Sequence, residues 1–305
     1  MVVLITGANG QLGNAIQSVV DKYSSIDFVF CSSTELDITN KKNCQTIFKK
    51  YNPDYCINTA AYTAVDKAES EPEKAFDINT NGAQNLAEVC KEYDTILLQV
   101  STDFVFDAYF SNGIAYYDRE LRLPLKSKFG LQETDVPFPS GVYGLTKLQG
   151  EQAIQNIWDK YYIIRTSWVY SEFGNNFMKT MLRLASERDT LSVVDDQIGT
   201  PTYAVDLAEI LIKICVTSNG FEKEVANFGI YNFSNEGSCS WYEFAKEIFN
   251  QKGINIKLKP ISTSAYPTPA KRPAYSVLDK TKIKAVFNLS IQDWKISLLK
   301  CLQKV

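Results

Sequence analysis

The chain has 305 residues, 45% of them hydrophobic, and a formal net charge of −3 from 32 basic and 35 acidic side chains. That is enough apolar material for one large α/β domain with a smaller companion, and no run of like charge offers a nucleic-acid or membrane patch. Histidine is absent, which removes Ser-His-Asp and Cys-His catalysis, His-ligated zinc and imidazole acid/base chemistry, so proton transfer must use Tyr, Lys, Cys or carboxylates.

Strand Val2–Thr6 runs straight into Gly7-Ala-Asn-Gly10-Gln11-Leu12-Gly13 and then a helix over 12–22. Three glycines where the chain must turn tightly let a pyrophosphate approach backbone N–H groups, which predicts a dinucleotide site at Gly7, Gly10, Gln11, Leu12 and Gly13. A second strand, 26–31, ends in Phe30-Cys31-Ser32-Ser33, without the acidic residue that grips a ribose 2′-hydroxyl and repels a 2′-phosphate. NADP(H) is therefore permitted beside Ser32. No arginine stands there to favour it, so NAD(H) is expected to serve as well. In Leu36-Asp37-Ile38, Asp37 lies either against the adenine or ahead of the next helix as an N-terminal carboxylate.

Helix 41–50, strand 54–58, helix Gly82–Glu92, strand 95–100, helix 143–158 and strand Tyr161–Thr166 continue the alternation. It predicts an α/β, Rossmann-like, doubly wound parallel sheet. Beyond residue 167 the pattern loosens into helices near 176–187, 204–216 and 240–251 and a proline-rich stretch over 260–273. Residues 1–166, with a later segment able to return, are read as the NAD(P)-binding domain. Residues 167–305 are read as mainly a substrate-binding lobe. The seven cysteines form no Cys-x-x-Cys pair and read as free thiols, and no apolar run reaches membrane-spanning length. A cytoplasmic protein is expected.

Tyr143-Gly-Leu-Thr-Lys147 opens a helix, and its i, i+4 spacing puts phenol and ammonium on one face. The ammonium is expected to lower the phenol pKa from about 10 toward the working pH, making Tyr143 a usable proton donor. Val100-Ser101-Thr102-Asp103 places Thr102 at the carboxyl end of the fourth strand, the edge where open α/β sheets bind ligands.

Together these segments resemble the extended short-chain dehydrogenases and, within them, the dTDP-4-dehydrorhamnose reductases. The resemblance runs through Gly10-Gln-Leu-Gly13, Asn58-Thr-Ala-Ala-Tyr-Thr-Ala-Val-Asp-Lys-Ala-Glu69, Ser101-Thr-Asp-Phe-Val-Phe106, Tyr143-Gly-Leu-Thr-Lys147, Arg165-Thr-Ser-Trp-Val-Tyr170, Asp196-Gln-Ile-Gly-Thr-Pro201 and Arg272-Pro273. It implies that Ala60, Ala61, Tyr62 and Asn79 attend the cofactor, along with Ile38. It also implies that Thr102, Phe104, Tyr143, Trp168 and Arg272 face the sugar nucleotide, although Trp168 and Tyr62 have plain core packing as their alternative. The implied reaction reduces the C4 keto group of a 4-keto-6-deoxyhexose nucleotide, giving dTDP-L-rhamnose for polysaccharide synthesis. Dehydrating relatives carry Thr-Asp-Glu where this chain has Thr102-Asp103-Phe104. Two alternatives stay open: a reductase or epimerase of another nucleotide sugar, and a non-catalytic NADP-binding regulatory subunit.

Some such reductases dimerise around Mg²⁺ held by glutamates, at positions occupied here by Ala15 and Val205. No metal is expected, since neither side chain offers oxygen. A monomer is expected, with a metal-free dimer through an apolar Ala15/Val205 surface as the alternative. The stretch 108–130, rich in Tyr, Phe, Arg and Lys, reads either as a lid over the sugar nucleotide or as a surface insertion.

Overall fold

The computed structural model describes residues 1–106, 130–218 and 227–305, together with a short strand pair, Tyr117–Asp118 and Leu123–Pro124. The expected lid or insertion over 108–130 lies, apart from that pair's backbone and Gly130, outside the described residues.

In chain order the principal elements are β1 (Val2–Thr6), α1 (Gln11–Gln17), β2 (Asp27–Cys31), α2 (Lys41–Tyr51), β3 (Tyr55–Asn58), α3 (Gly82–Glu92), β4 (Ile96–Thr102), α4 (Val142–Ile157) and β5 (Tyr161–Thr166). They are followed by α5 (Phe177–Glu187), α6 (Ala204–Ser218), β6 (Gly229–Asn232), α7 (Trp241–Lys252) and α8 (Trp294–Leu302). Six parallel strands form one sheet in the order β6-β5-β4-β3-β1-β2. The chain thus starts at β1, adds β2 on one side and then crosses to β3 on the other. That reversal is the switch point where such sheets bind ligands.

Strand period sets the two cores. Val3 and Ile5 point to one face, among Leu98, Ile164 and the helices of the later half, while Leu4 points to the other, among Phe48, Leu86 and Ile163. All of these side chains are completely buried. Two departures from the sequence reading matter. β6, a Gly-Ile-Tyr-Asn stretch too short to show a strand pattern, joins the sheet beside β5. β4 runs two residues further than expected, so that Ser101 pairs with Arg165 and Thr102 with Thr166.

Local chemistry sets the helix ends. Asn40, rather than Asp37, caps α2 through Asn43 N, and α7 opens on a Ser240/Glu243 capping box and closes on left-handed Gly253. α1 stops at Gln17, before the expected end, and a 3₁₀ turn follows over Val20–Lys22. In the later half, Thr190–Val194 and Lys257–Ile261 pair in parallel. All seven cysteines are buried and free. Among the described residues no helix is long and apolar enough to cross a membrane.

Ala15 is fully buried and Val205 nearly so, both in the core that α1 and α6 share. This removes the alternative in which they form an apolar surface available to a second copy. Short side chains at these positions let two helices pack within one chain.

Candidate active site

At the switch point, a ladder of buried polar groups ties the ends of β1 and β3 to the middle of β4. Thr6 Oγ1 donates to Asn58 Oδ1 (2.5 Å), Asn58 Nδ2 donates to Gln99 Oε1 (2.7 Å), and Asn58 Oδ1 also accepts from Ala60 N (3.1 Å). The loop carrying Ala60 and Ala61 is thereby fixed against the glycine turn. Gly7 has φ +65°, and a Cβ there would stand 2.8 Å from Ala60 N, so only glycine lets the two loops close on each other. α1 begins after Gly10 with no side chain capping it, which leaves first-turn N–H groups at Gln11 and Leu12 open to an anion. A bare turn with uncapped amides at the sheet reversal fits a dinucleotide pyrophosphate.

The residues expected around the adenosine end are engaged with their neighbours. Ser32 donates from N and Oγ to Glu35 Oε2 (2.8 and 2.7 Å). Asp37 Oδ1 accepts from Thr39 N and Oγ1 (3.0 and 2.8 Å), and Ile38 packs against Gly82. Asn79 lies in a π-helical turn, Asp77–Asn81, a local widening that recurs at functional sites. Its amide accepts from Tyr62 N (2.9 Å) and donates to Tyr62 O (3.2 Å) and Thr146 Oγ1 (3.1 Å). Asn79 thus joins the Ala60–Tyr62 loop to α4.

α4 brings Tyr143 and Lys147 to the end of β4. A Cβ at Gly144 would run into the Phe104 carbonyl, so the helix lies directly on the strand end. Tyr143 is half-buried, edge-on to Phe104 with ring centroids 5.5 Å apart, and Thr102 is almost fully buried. Burial pushes the phenol pKa up to about 12, outweighing the downward pull of the nearby Thr102 hydroxyl; the Asp103 carboxylate adds to the rise. This corrects the expectation that Lys147 sets the Tyr143 pKa in the cofactor-free chain. The Lys147 ammonium instead donates to Val100 O (2.7 Å), and burial lowers its own pKa to about 8 against the upward pull of Glu151.

Four groups behind this pair escaped the sequence reading. Asp103 is buried, accepts from Thr102 Oγ1 at 3.1 Å, and keeps Oδ2 without a standard hydrogen bond among the described residues. The Ser276 hydroxyl approaches this carboxylate and favours its charge, but burial prevails and lifts its pKa to about 6. Glu151, one turn beyond Lys147, accepts from Ser101 Oγ (2.5 Å) and pairs with Arg165 NH2 (2.6 Å), all fully buried. Glu69 Oε1 accepts from Val142 N (2.9 Å) and so caps α4 beside Tyr143. The i, i+4 spacing from Lys147 was a signal for Glu151. Asp103 and Glu69 lay inside quoted motifs, whereas Ser276 had no signal.

Of the residues expected to face the sugar nucleotide, Trp168 adopts φ +46°, a strained conformation for a bulky residue. Its indole stacks on Trp241 at 3.5 Å and lies against Gly199, inside the core boundary. Tyr62 packs with Ala68, Ala75, Val142 and Tyr143, and its hydroxyl donates to Glu71 (2.8 Å). Arg272 is not held free for a ligand: it forms a two-pronged pair with Asp66, NH1 at 2.9 Å and NH2 at 2.7 Å, and also donates to Thr268 Oγ1 (2.6 Å) and Ala270 O (2.8 Å). Among the described residues no cluster of carboxylates, cysteines or histidines could hold a metal ion.

A parallel sheet with a glycine turn at its reversal, and a Tyr/Lys helix against the threonine ending the fourth strand, define an NADP-dependent oxidoreductase of the short-chain dehydrogenase class. The chain belongs to the RmlD substrate binding domain family, whose model matches residues 1–305. It is 43% identical over 302 residues to a dTDP-4-dehydrorhamnose reductase of Aggregatibacter actinomycetemcomitans, covering 97% of this chain and 96% of that one. Among solved structures it is similar to a dTDP-4-dehydrorhamnose reductase of Clostridium acetobutylicum, with TM-score 0.88, 39% identity and 99% of each chain covered. It is also similar to the Bacillus anthracis dTDP-4-dehydrorhamnose reductase in complex with NADP, with TM-score 0.88, 36% identity, and 100% of this chain and 99% of that one covered.

Proposed function

We propose that this chain reduces the C4 keto group of dTDP-4-dehydro-L-rhamnose to dTDP-L-rhamnose with NADP(H), and with NAD(H) as a second cofactor, for cell-surface polysaccharide synthesis. The observation that carries the reading is the convergence of Thr102, Tyr143 and Lys147 at one strand end, in a chain whose full-length relatives bear that activity's name. A regulatory subunit that only binds cofactor has no use for all three.

Bound NADPH supplies the hydride to C4. Tyr143 supplies the proton to the C4 oxygen, and its raised pKa keeps it protonated at neutral pH, the state a donor needs. Thr102 turns its one hydroxyl proton from Asp103 to the same oxygen when substrate binds. Lys147, fixed by Val100 O, presents its remaining N–H donors to the cofactor ribose and to the phenol's oxygen once the proton has left. Phe104 stands where dehydrating relatives place a carboxylate, so elimination has no acid or base there. Ala60, Ala61 and Asn79 form the cofactor wall, and Trp168 presents to the sugar what Trp241 leaves uncovered. The protein acts in the cytoplasm as a monomer; light scattering behind size exclusion returns the mass of one chain in Mg²⁺ and in EDTA, and a dimer in either would overturn that.

The experiment is NADPH oxidation with dTDP-4-dehydro-L-rhamnose, run beside GDP- and UDP-linked ketosugars and repeated with NADH. Turnover is expected with the dTDP sugar and at least tenfold lower with the other bases. Preference for another base would replace the substrate assignment.

A further inference from the structure

Asp66 lies in a one-turn helix, Val65–Ala68, that follows the Ala60–Tyr62 loop and packs through Ala68 beside Val142 and Tyr143. Its carboxylate gathers a distant segment: both terminal nitrogens of Arg272, and Ala270 N at 3.2 Å. Arg272 in turn binds Thr268 Oγ1 and Ala270 O, so residues 268–272 are wrapped around one guanidinium.

The far end of this segment reaches the catalytic strand. Ser276 is buried against Asp103, the neighbour of Thr102. Only three residues stand between Arg272 and Ser276, a reach of at most about 14 Å, and Pro273 removes part of the slack. Between the two anchors, Ile198 N binds Ala274 O and Ser276 N binds Ile198 O, each at 2.8 Å. Ile198 precedes Gly199, on which the Trp168 indole rests. A shift at Arg272 is therefore felt at Asp103 on one side and beneath Trp168 on the other.

We propose that Asp66 is a positioning residue for the reaction: acting through Arg272 and Ala270, it clasps the 268–276 segment across the end of β4 and so shapes the sugar-nucleotide site. The proposal rests on the reductase reading for its substrate. The Asp66–Arg272 pair is partly exposed, with side chains 41% and 25% accessible, and a pair of that kind contributes little to global stability. Its loss registers locally. Arg272 NH1 and NH2 are engaged by Asp66, Thr268 and Ala270, so the proposal gives it an indirect effect on the substrate.

The test compares Asp66→Ala, Asp66→Glu, Arg272→Ala and the Asp66→Ala/Arg272→Ala double variant, with NADPH bound. Asp66→Ala is expected to raise KM for the sugar nucleotide about tenfold, leave NADPH affinity within twofold and shift Tm little. Asp66→Glu recovers most of the loss, and the double variant is no worse than the poorer single one. Hydrogen exchange in the peptides covering 266–278 speeds up in Asp66→Ala. An unchanged sugar KM with unchanged exchange overturns the clasp, as does a double variant whose losses multiply, which would make Arg272 a direct ligand. If the wild type reduces no 4-keto sugar nucleotide, the substrate reading fails. The exchange measurement still decides the clasp, faster exchange supporting it and unchanged exchange refuting it.

Discussion

Two walls of the site are held by different forces. At the end of β4, Thr102, Asp103, Lys147, Glu151 and Arg165 are each at most 5% exposed, and their positions follow from strand register and helix pitch. Most of residues 262–272 face solvent, with Tyr266 61% exposed, and that stretch is secured by hydrogen bonds and by the Asp66–Arg272 ion pair. The first wall is expensive to alter because every group there has lost its water. The second is held by contacts that keep access to water, and under the proposed clasp it is the side that meets the nucleotide sugar. On the proposed reading, chemistry falls to the buried wall and selection to the exposed one.

The largest expected break comes from the phenol. Tyr143→Phe should keep the fold and cofactor affinity while kcat falls about 10²–10⁴-fold, the usual worth of a positioned acid. Near-normal turnover would remove Tyr143 from the mechanism. Lys147→Ala should weaken both turnover and NADPH binding, and a variant impaired in neither would place Lys147 outside the site.

Next comes the support of that wall. Glu151→Ala strands Arg165, whose NH1 already lacks a partner among the described residues, and should cost about 3–5 kcal/mol in a denaturant titration. A loss below about 1 kcal/mol would mean that the buried pair is not what keeps Ser101 and Thr102 in place.

The smallest effect is a slope. The Asp103 pKa, raised to about 6 by burial, lies above the ordinary carboxylate value of about 3.9, so between those values the folded chain binds more protons than the unfolded one. Stability should therefore be greatest below about pH 4 as far as this group is concerned, and should decline as pH rises through about 6. Asp103→Asn should flatten that decline, gaining of the order of 1–3 kcal/mol at pH 8 relative to pH 4. Identical slopes in the two proteins would show that Asp103 titrates as if solvated.

Much of the rigid wall was legible because its signals are local. Gly7, Gly10 and Gly13 mark a turn, and Tyr143 with Lys147 share a helix face at any orientation of that helix; their helix does come to lie on β4, against Thr102. What local signals could not carry was the field around them: the expected influence of Lys147 on Tyr143 gives way to burial, a property of everything packed nearby. Asp37 illustrates the same limit: its Oδ1 accepts from Thr39 N and Oγ1, and the cap of the next helix falls to Asn40.

The sequence by itself determined the alternation of strands and helices, the place of the glycine turn and the spacing of the Tyr/Lys pair, because each depends on residues within one or two turns of each other. Only the tertiary structure decided that Ala15 and Val205 are core rather than surface, that β6 completes the sheet, and that Arg272 answers to Asp66, 206 positions away. Those outcomes depend on which surfaces meet when the sheet closes between its helices. Burial and long-range pairing are properties of that meeting and leave no periodic trace along the chain.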